Sequence, residues 1–135
     1  MNNVRFATSI HILTLLSVAK GEYLSSEYIA GSVNLNAAII RKELSNLREH
    51  GLVESREGKG GGSILARSPS KILLSDIYVA VRQSSLLGRS NQPNPACPIG
   101  RQINKQIDVV FEAAEEALVK QLSKQSLAGF MKKFD

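Results

Sequence analysis

Residues 36–67 read "NAAIIRKELSNLREHGLVESREGKGGGSILAR", and their two halves call for different structures. Asn36 is a helix N-cap residue type. Behind it Ala37, Ile40, Leu44 and Leu47 fall at i, i+3, i+7 and i+10, which makes one apolar stripe. Gly51 closes that helix. Arg41 and Lys42 lie on the side away from the stripe. The second half holds two short strand candidates, "LVESR" and "SILAR", on either side of Gly58, Gly60, Gly61 and Gly62. This pattern predicts a hairpin with an extended tip.

The glycine cluster fails both nucleotide-loop patterns. In G-x-x-x-x-G-K-[ST] the lysine precedes Ser or Thr, whereas Lys59 precedes Gly60. Counted as G-x-G-x-x-G, the series from Gly58 reaches Ser63 and the series from Gly60 reaches Leu65. A plain hairpin turn needs one or two glycines. Four of them favour a backbone that presses against a sugar-phosphate wall and donates N–H groups to it.

Upstream, "YLSSEYIAGSV" offers Ser25 as the N-cap of a short helix that carries Ile29 and Ala30 and ends near Gly31. A short helix, a tight connection and a longer helix make a helix-turn-helix. With a hairpin directly after it, the expected unit is a winged helix. A first helix is predicted over about Val4–Ala19, apolar nearly all round and stopped at Gly21. It is not read as a secretory signal, because His11 interrupts the run and only Arg5 precedes it. Downstream, "SPSK" reads as a turn and Ser75 as the cap of "DIYVAVRQ". Ser84 to Ala96 is polar and proline-containing, hence a loop.

The segment from Cys97 predicts a long amphipathic helix with Pro98 in its first turn. Ile103, Ile107, Val110, Ala114, Leu118 and Leu122 recur there at threes and fours. A winged domain has little room to bury that stripe, but the same helix of a second copy would cover it. "SLAGFMKKF" adds a short terminal helix. The expected fold is mainly α with a small β-hairpin. It divides into a winged helix-turn-helix over 1–83, a sensor loop over 84–97, and a dimerisation helix with its tail over 98–135.

Composition narrows the functions. The chain has 135 residues, no Trp, one Cys and a net charge of +5. The lack of Trp and the scarcity of other aromatics argue against a base-stacking platform for single strands. Lys and Arg exceed Asp and Glu by eight to six in residues 1–67 and by nine to six in 68–135. The excess is spread out, so a nucleic-acid reading rests on where the charges sit. Cys97 alone rules out an intramolecular disulfide framework and a Cys-rich zinc site, and fits a reducing, cytoplasmic setting. No carboxylate pair, nucleophile–base pair or cofactor loop points to an enzyme. His11 and His50 are too far apart and too poorly accompanied to suggest a metal site.

On the residues "YLSSEYIAGSVNLNAAIIRKELSNLREHGLVESREGKGGGSILAR", then "LSDIYVAV" and the long helix after Cys97, the chain resembles a family of bacterial winged-helix transcription regulators that includes IscR, NsrR and CymR. The resemblance implies a homodimer on a palindromic DNA operator, with a signal received near the cysteine region. It departs from cluster-binding members in three places. They carry three cysteines before the long helix, whereas this chain has Cys97 alone. IscR-like members place a histidine where Gly100 stands, and some relatives have a basic residue where Glu57 stands. The first two departures argue against a conventional iron–sulfur cluster, so no cofactor is expected.

The candidate DNA-binding residues are Ser25, Ser26, Asn36, Arg41, Lys42, Arg56, Lys59, Gly60, Gly61 and Gly62. Arg41 suits a guanine edge in the major groove and Lys42 a phosphate. Asn36 caps its helix before it does anything else, and one of Ser25 and Ser26 suits phosphate. Arg48 reads equally well as an ordinary surface charge. Cys97 is open to two readings. It is either an inert small hydrophobe or a reactive thiol set at the N-cap of the long helix with Arg101 nearby. The leading expectation is a homodimeric, sequence-specific DNA-binding repressor that responds to thiol oxidation or to a small effector. The alternative is a winged-helix adaptor that binds proteins and not DNA.

Overall fold

The computed structural model describes residues 3–83 and 86–134. Helix α1 (Arg5–Val18) comes first, then α2 (Ser26–Val33) and α3 (Ala37–Glu49). Strands β1 (Val53–Arg56) and β2 (Gly62–Leu65) follow, with a 3₁₀ turn at Pro69–Lys71 and α4 (Leu74–Val81). The chain ends with α5 (Gly100–Leu122) and α6 (Leu127–Met131). The fold is mainly helical with one antiparallel hairpin, a winged helix-turn-helix.

Local signals set the reading helix. The Asn36 side chain accepts from the Ala38 N–H at 2.7 Å, and Gly51 takes a left-handed φ of +73° after the last turn. Ile40, Leu44 and Leu47 point into the core, where they meet Ile12, Leu13 and Leu16 of α1 and Ile29 of α2. Ser25 caps α2 through the Tyr28 N–H at 3.1 Å. That helix runs past Gly31 and stops at Asn34, whose φ is +62°. Gly31 has open space around its Cα and follows the buried pair Ile29 and Ala30. Packing of that pair outweighs the modest helix penalty of one glycine.

Two other boundaries differ from the sequence reading. Ser75 does not cap α4 but lies buried inside it. The Asp76 carboxylate instead accepts from the Leu73 N–H at 2.9 Å, which starts the helix at Leu74. The long helix begins at Gly100, with Ile99 at its N-cap position, so Pro98 is outside its first turn and Cys97 is not its cap. The segment before Gly100 is instead a series of turns. The Cys97 N–H donates to the Asn94 carbonyl at 3.1 Å, and the Gln102 side chain donates to the Pro98 carbonyl at 2.7 Å. The expected loop starts at Ser84, which with Ser85 lies outside the described residues. From Leu86 to Ile99 the chain is non-helical, as its prolines and polar residues require.

The C-terminal segment returns to the core. The Leu74 N–H donates to the Gln125 carbonyl at 2.9 Å and the Leu127 N–H to the Ile72 carbonyl at 2.7 Å. Leu127 is fully buried and Leu122 packs beside it. Helix α5 lies along the outside of the body: none of its 23 residues is buried, and Ile103, Val109 and Val110 are exposed. Among the described residues no helix is long and apolar enough to cross a membrane.

Candidate nucleic-acid interface

The hairpin does not hang free. The Leu24 N–H donates to the Ser63 carbonyl at 3.1 Å, and the Ser63 N–H donates back to the Leu24 carbonyl at 2.9 Å. Leu24 thereby adds a one-residue third strand beside β2 and bolts the wing to the entry of α2. The bond pair brings the two backbones so close that only glycine fits at Gly62. A Cβ there would lie 2.3 Å from the Leu24 carbonyl oxygen. A Cβ on Gly61 would lie 2.2 Å from the Arg56 carbonyl oxygen, while Gly58 and Gly60 take φ of +88° and +76°. Gly61 and Gly62 are therefore required by the chain's own packing, and Gly58 and Gly60 are favoured by their left-handed backbone, so the number of glycines is no argument for a neighbouring polymer.

The tip itself is open. Glu57 through Gly60 are exposed, with Lys59 at the apex. The Gly61 N–H closes a turn onto the Gly58 carbonyl at 3.0 Å, so it is already engaged within the hairpin. Gly61 and Gly62 are half-buried.

Between α3 and this wing lies an open cleft lined by Ser26, Arg41, Arg48, Ser55, Arg56 and Glu57, with Ser63 at its floor. Three guanidinium groups from two elements face one concave surface. Arg41 donates to Glu27 at 3.2 Å and to the Ser26 hydroxyl at 3.4 Å, and both members of the Arg41–Glu27 pair are largely exposed. Such a pair is worth little in water and yields readily to a competing anion. Arg48 donates to the Ser55 hydroxyl at 3.2 Å, and Ser55 and Ser63 lie 3.1 Å apart, so α3 is tied to the hairpin. The Arg56 guanidinium stacks over the Tyr23 ring at 4.0 Å and donates to the Gly60 carbonyl at 3.2 Å.

The residues singled out from sequence are distributed unevenly. Ser26, Arg41, Arg56 and Gly62 line the cleft, while Lys59 and Gly60 stand at the tip beside it. Ser25 and Asn36 are engaged as helix caps, and Lys42 is exposed on α3 outside the cleft lining. Arg48 and Ser55 join the site, and neither was singled out as a binding residue. The seven-residue spacing of Arg41 and Arg48 places both on one side of a helix and was available as a signal. Tyr23 had none, because its contact with Arg56 depends on the bridge at Leu24.

A second polar cluster joins the reading head to the long helix. The Glu115 carboxylate of α5 accepts from the Tyr78 hydroxyl at 2.8 and 3.0 Å, from Arg82 at 2.9 Å and from the Leu86 N–H at 3.0 Å. Burial pushes its carboxyl upward, but these three donors outweigh that and hold it below the usual carboxylate range. Burial and the bond to Glu115 raise the Tyr78 phenol. Cys97 lies exposed in the turn before α5, five residues beyond the 88–92 loop, which forms a cleft with Asn104, Asp108 and Phe111.

This arrangement of a capped reading helix, a bolted wing and a long C-terminal helix has known counterparts. A family model for Rrf2, described as "Iron-dependent Transcriptional regulator", matches residues 3–133. The chain belongs to the Rrf2 family. It is 39% identical over 132 residues to the "Putative HTH-type transcriptional regulator YwnA" of Bacillus subtilis, covering 97% of each chain. A crystal structure of "a putative DNA binding protein" is 34% identical with a TM-score of 0.76, covering 94% of this chain and 98% of that one. CymR of B. subtilis, described as its global cysteine regulator, shares the fold with a TM-score of 0.71 at 23% identity, covering 100% of this chain and 98% of that one. As an Rrf2 member this chain is a DNA-binding transcriptional regulator of the helix-turn-helix type.

Among the described residues no three His, Cys, Asp or Glu side chains are grouped to hold a metal ion, and Cys97 is a single exposed thiol.

Proposed function

We propose that this Rrf2 protein is a cytoplasmic homodimer that binds a palindromic DNA operator and represses by occupying it. The observation that carries the reading is the cleft in which Arg41 and Arg48 of the reading helix face Arg56 of the wing, with Lys59 exposed at the wing tip. Arg41 near the start of α3 is placed to leave Glu27 for a guanine edge, where bidentate contact is strongest. Ser26, Ser55 and Lys59 suit phosphate. Two such heads need a two-fold partner, and the uncovered stripe of α5 supplies the surface that a second copy would bury. Half-sites then lie about one helical turn, or a multiple of it, apart.

The test is a salt titration of operator binding with two variants. Arg41→Ala is expected to weaken the preferred operator about 10- to 100-fold and to relax selection at one base position. Lys59→Ala is expected to weaken all sequences alike and to reduce the slope of log affinity against log salt by about one. Binding that is insensitive to salt and to both substitutions would favour a protein-binding adaptor.

Within the same proposal, Cys97 is the thiol through which oxidants act. Its exposed sulfur at the foot of α5 is open to attack a small disulfide, forming a mixed disulfide and releasing one thiol. The expected result is a change in operator affinity of the wild type on treatment with a low-molecular-weight disulfide, reversed by dithiothreitol and absent in Cys97→Ser. An equal response in Cys97→Ser would end the thiol proposal and leave a non-thiol effector in its place.

A further inference from the structure

Two fastenings hold helix α5 to the reading head. One is its C-terminal end, where Leu122 joins the core and residues 125–127 pair with 72–74. The other is Glu115, whose single carboxylate gathers Tyr78 of α4, Arg82 at the C-cap of that helix and the backbone of Leu86. On the far side of Glu115 the helix continues to Gly100 without a buried residue. The Glu115 side chain is 17% exposed, and Arg82 beside it is 40% exposed.

Beyond Tyr78 and Arg82, the grip continues toward the DNA-reading helix. Asn46 of α3 donates to the Ala80 carbonyl at 2.8 Å, and Arg5 reaches the Val81 carbonyl at 3.5 Å while forming a bidentate pair with Glu43 of α3. The end of α4 is thus bonded to α3 on one side and to Glu115 on the other. The shared core seats α3, α4 and Leu122 on one another, and these hydrogen bonds add a directional link between α3 and α5.

We infer that Glu115 is the positioning residue that sets the angle of the reading head on the long helix, and through it the spacing of half-sites that the dimer accepts. The inference rests on the two-headed reading above and adds to it a specificity that touches no base. The geometry amplifies small changes. Glu115 lies about 10 Å along the helix from the anchor at Leu122, and Gly100 about 33 Å from it, so a play of about 1 Å at Glu115 becomes about 3 Å at the far end. That is close to the rise of one base pair, about 3.4 Å. With Glu115 in place, a rigid dimer must bend or twist DNA to meet a displaced half-site. Without it, the heads adjust instead.

The test compares wild type, Glu115→Ala, Glu115→Gln and Tyr78→Phe on a set of operators whose half-sites are moved apart or together by one and two base pairs. For the wild type, each base pair of displacement is expected to cost about tenfold in affinity or more, the scale of the DNA deformation it demands. For Glu115→Ala the same displacement should cost about threefold or less, with selection at each base position unchanged. Glu115→Gln keeps an acceptor for Tyr78 and Leu86 and should lie between the two. Tyr78→Phe, which removes one hydroxyl, should shift the profile in the same direction if Glu115→Ala does not fold. A Glu115→Ala profile as steep as the wild type's overturns the inference while leaving the operator reading intact. A wild type with no spacing preference overturns both the inference and the two-headed dimer, and a wild type without sequence-specific binding overturns the proposed function itself.

Discussion

Gly62→Ala should detach the wing from the rest of the protein and cost most of the DNA affinity. The added Cβ would meet the Leu24 carbonyl oxygen at 2.3 Å and its carbon at 2.6 Å, both of them backbone atoms. Neither can swing aside as a side-chain tip would, so the bond pair between Leu24 and Ser63 must open. The φ of +143° at this position adds strain for any L side chain. Together the two effects are expected to destabilise the protein by about 2–4 kcal/mol, enough to lower the melting temperature by about 10 °C. Once the bridge opens, Arg56 and Ser55 no longer share a cleft with Arg41, and operator affinity should fall by more than about thirtyfold. Gly58→Ala is the control. Its Cβ would meet nothing within 4 Å and its φ is +88°, so its cost is confined to the left-handed backbone, about 1 kcal/mol. Thermal unfolding and a DNA-binding titration on the two variants read both quantities. Equal, small losses for the two would show that the wing is not fastened at Leu24.

How legible this was in the sequence depended on the range of the interaction. Asn36, the apolar stripe of α3 and Gly51 act within a few residues, and they placed that helix to within a residue of its observed ends. The two strand candidates paired as their flanking glycines required, with Val53 opposite Leu65 and Arg56 opposite Gly62. What stayed hidden was made by contacts between distant residues. A one-residue strand at Leu24 has no periodicity to reveal it, and the glycine count took on its real meaning only when Leu24 was seen beside Gly62. The start of α4 was misplaced because Asp76, not Ser75, satisfies the first turn. Glu115 looks like any exposed acid on an amphipathic helix until α4 and Leu86 are brought against it. The cleft was half legible: Arg41 and Arg56 carried charge in suggestive places, whereas Arg48 needed the hairpin's Ser55 to define its direction.

The pairing of Arg5 with Glu43 sets up the second large effect, and it concerns how the reading helix is seated. Glu43 lies on α3 with only 4% of its surface exposed, facing α1 and not the cleft. Its two oxygens accept from Arg5 at 2.7 and 2.9 Å. The hydrogen bond to Glu43 holds the Arg5 guanidinium above its already high ordinary value. A bidentate pair of this kind repays part of the desolvation of both charges, but removing one partner leaves the other buried and uncompensated. Arg5→Met should therefore destabilise the protein by about 3 kcal/mol or more, since the Glu43 carboxylate is the more deeply buried of the two. Glu43→Gln retains one acceptor for Arg5 and should cost less. The double variant Arg5→Met/Glu43→Leu removes both charges and fills their space, so it should recover most of the loss, and the coupling in a urea-unfolding double-mutant cycle should be at least about 2 kcal/mol. Because neither residue lines the cleft, the folded fraction of the double variant should still prefer the same operator bases. Loss of that preference in a fully folded double variant would mean that the ion pair also sets the pitch of α3 toward DNA, a role the apolar replacements cannot copy.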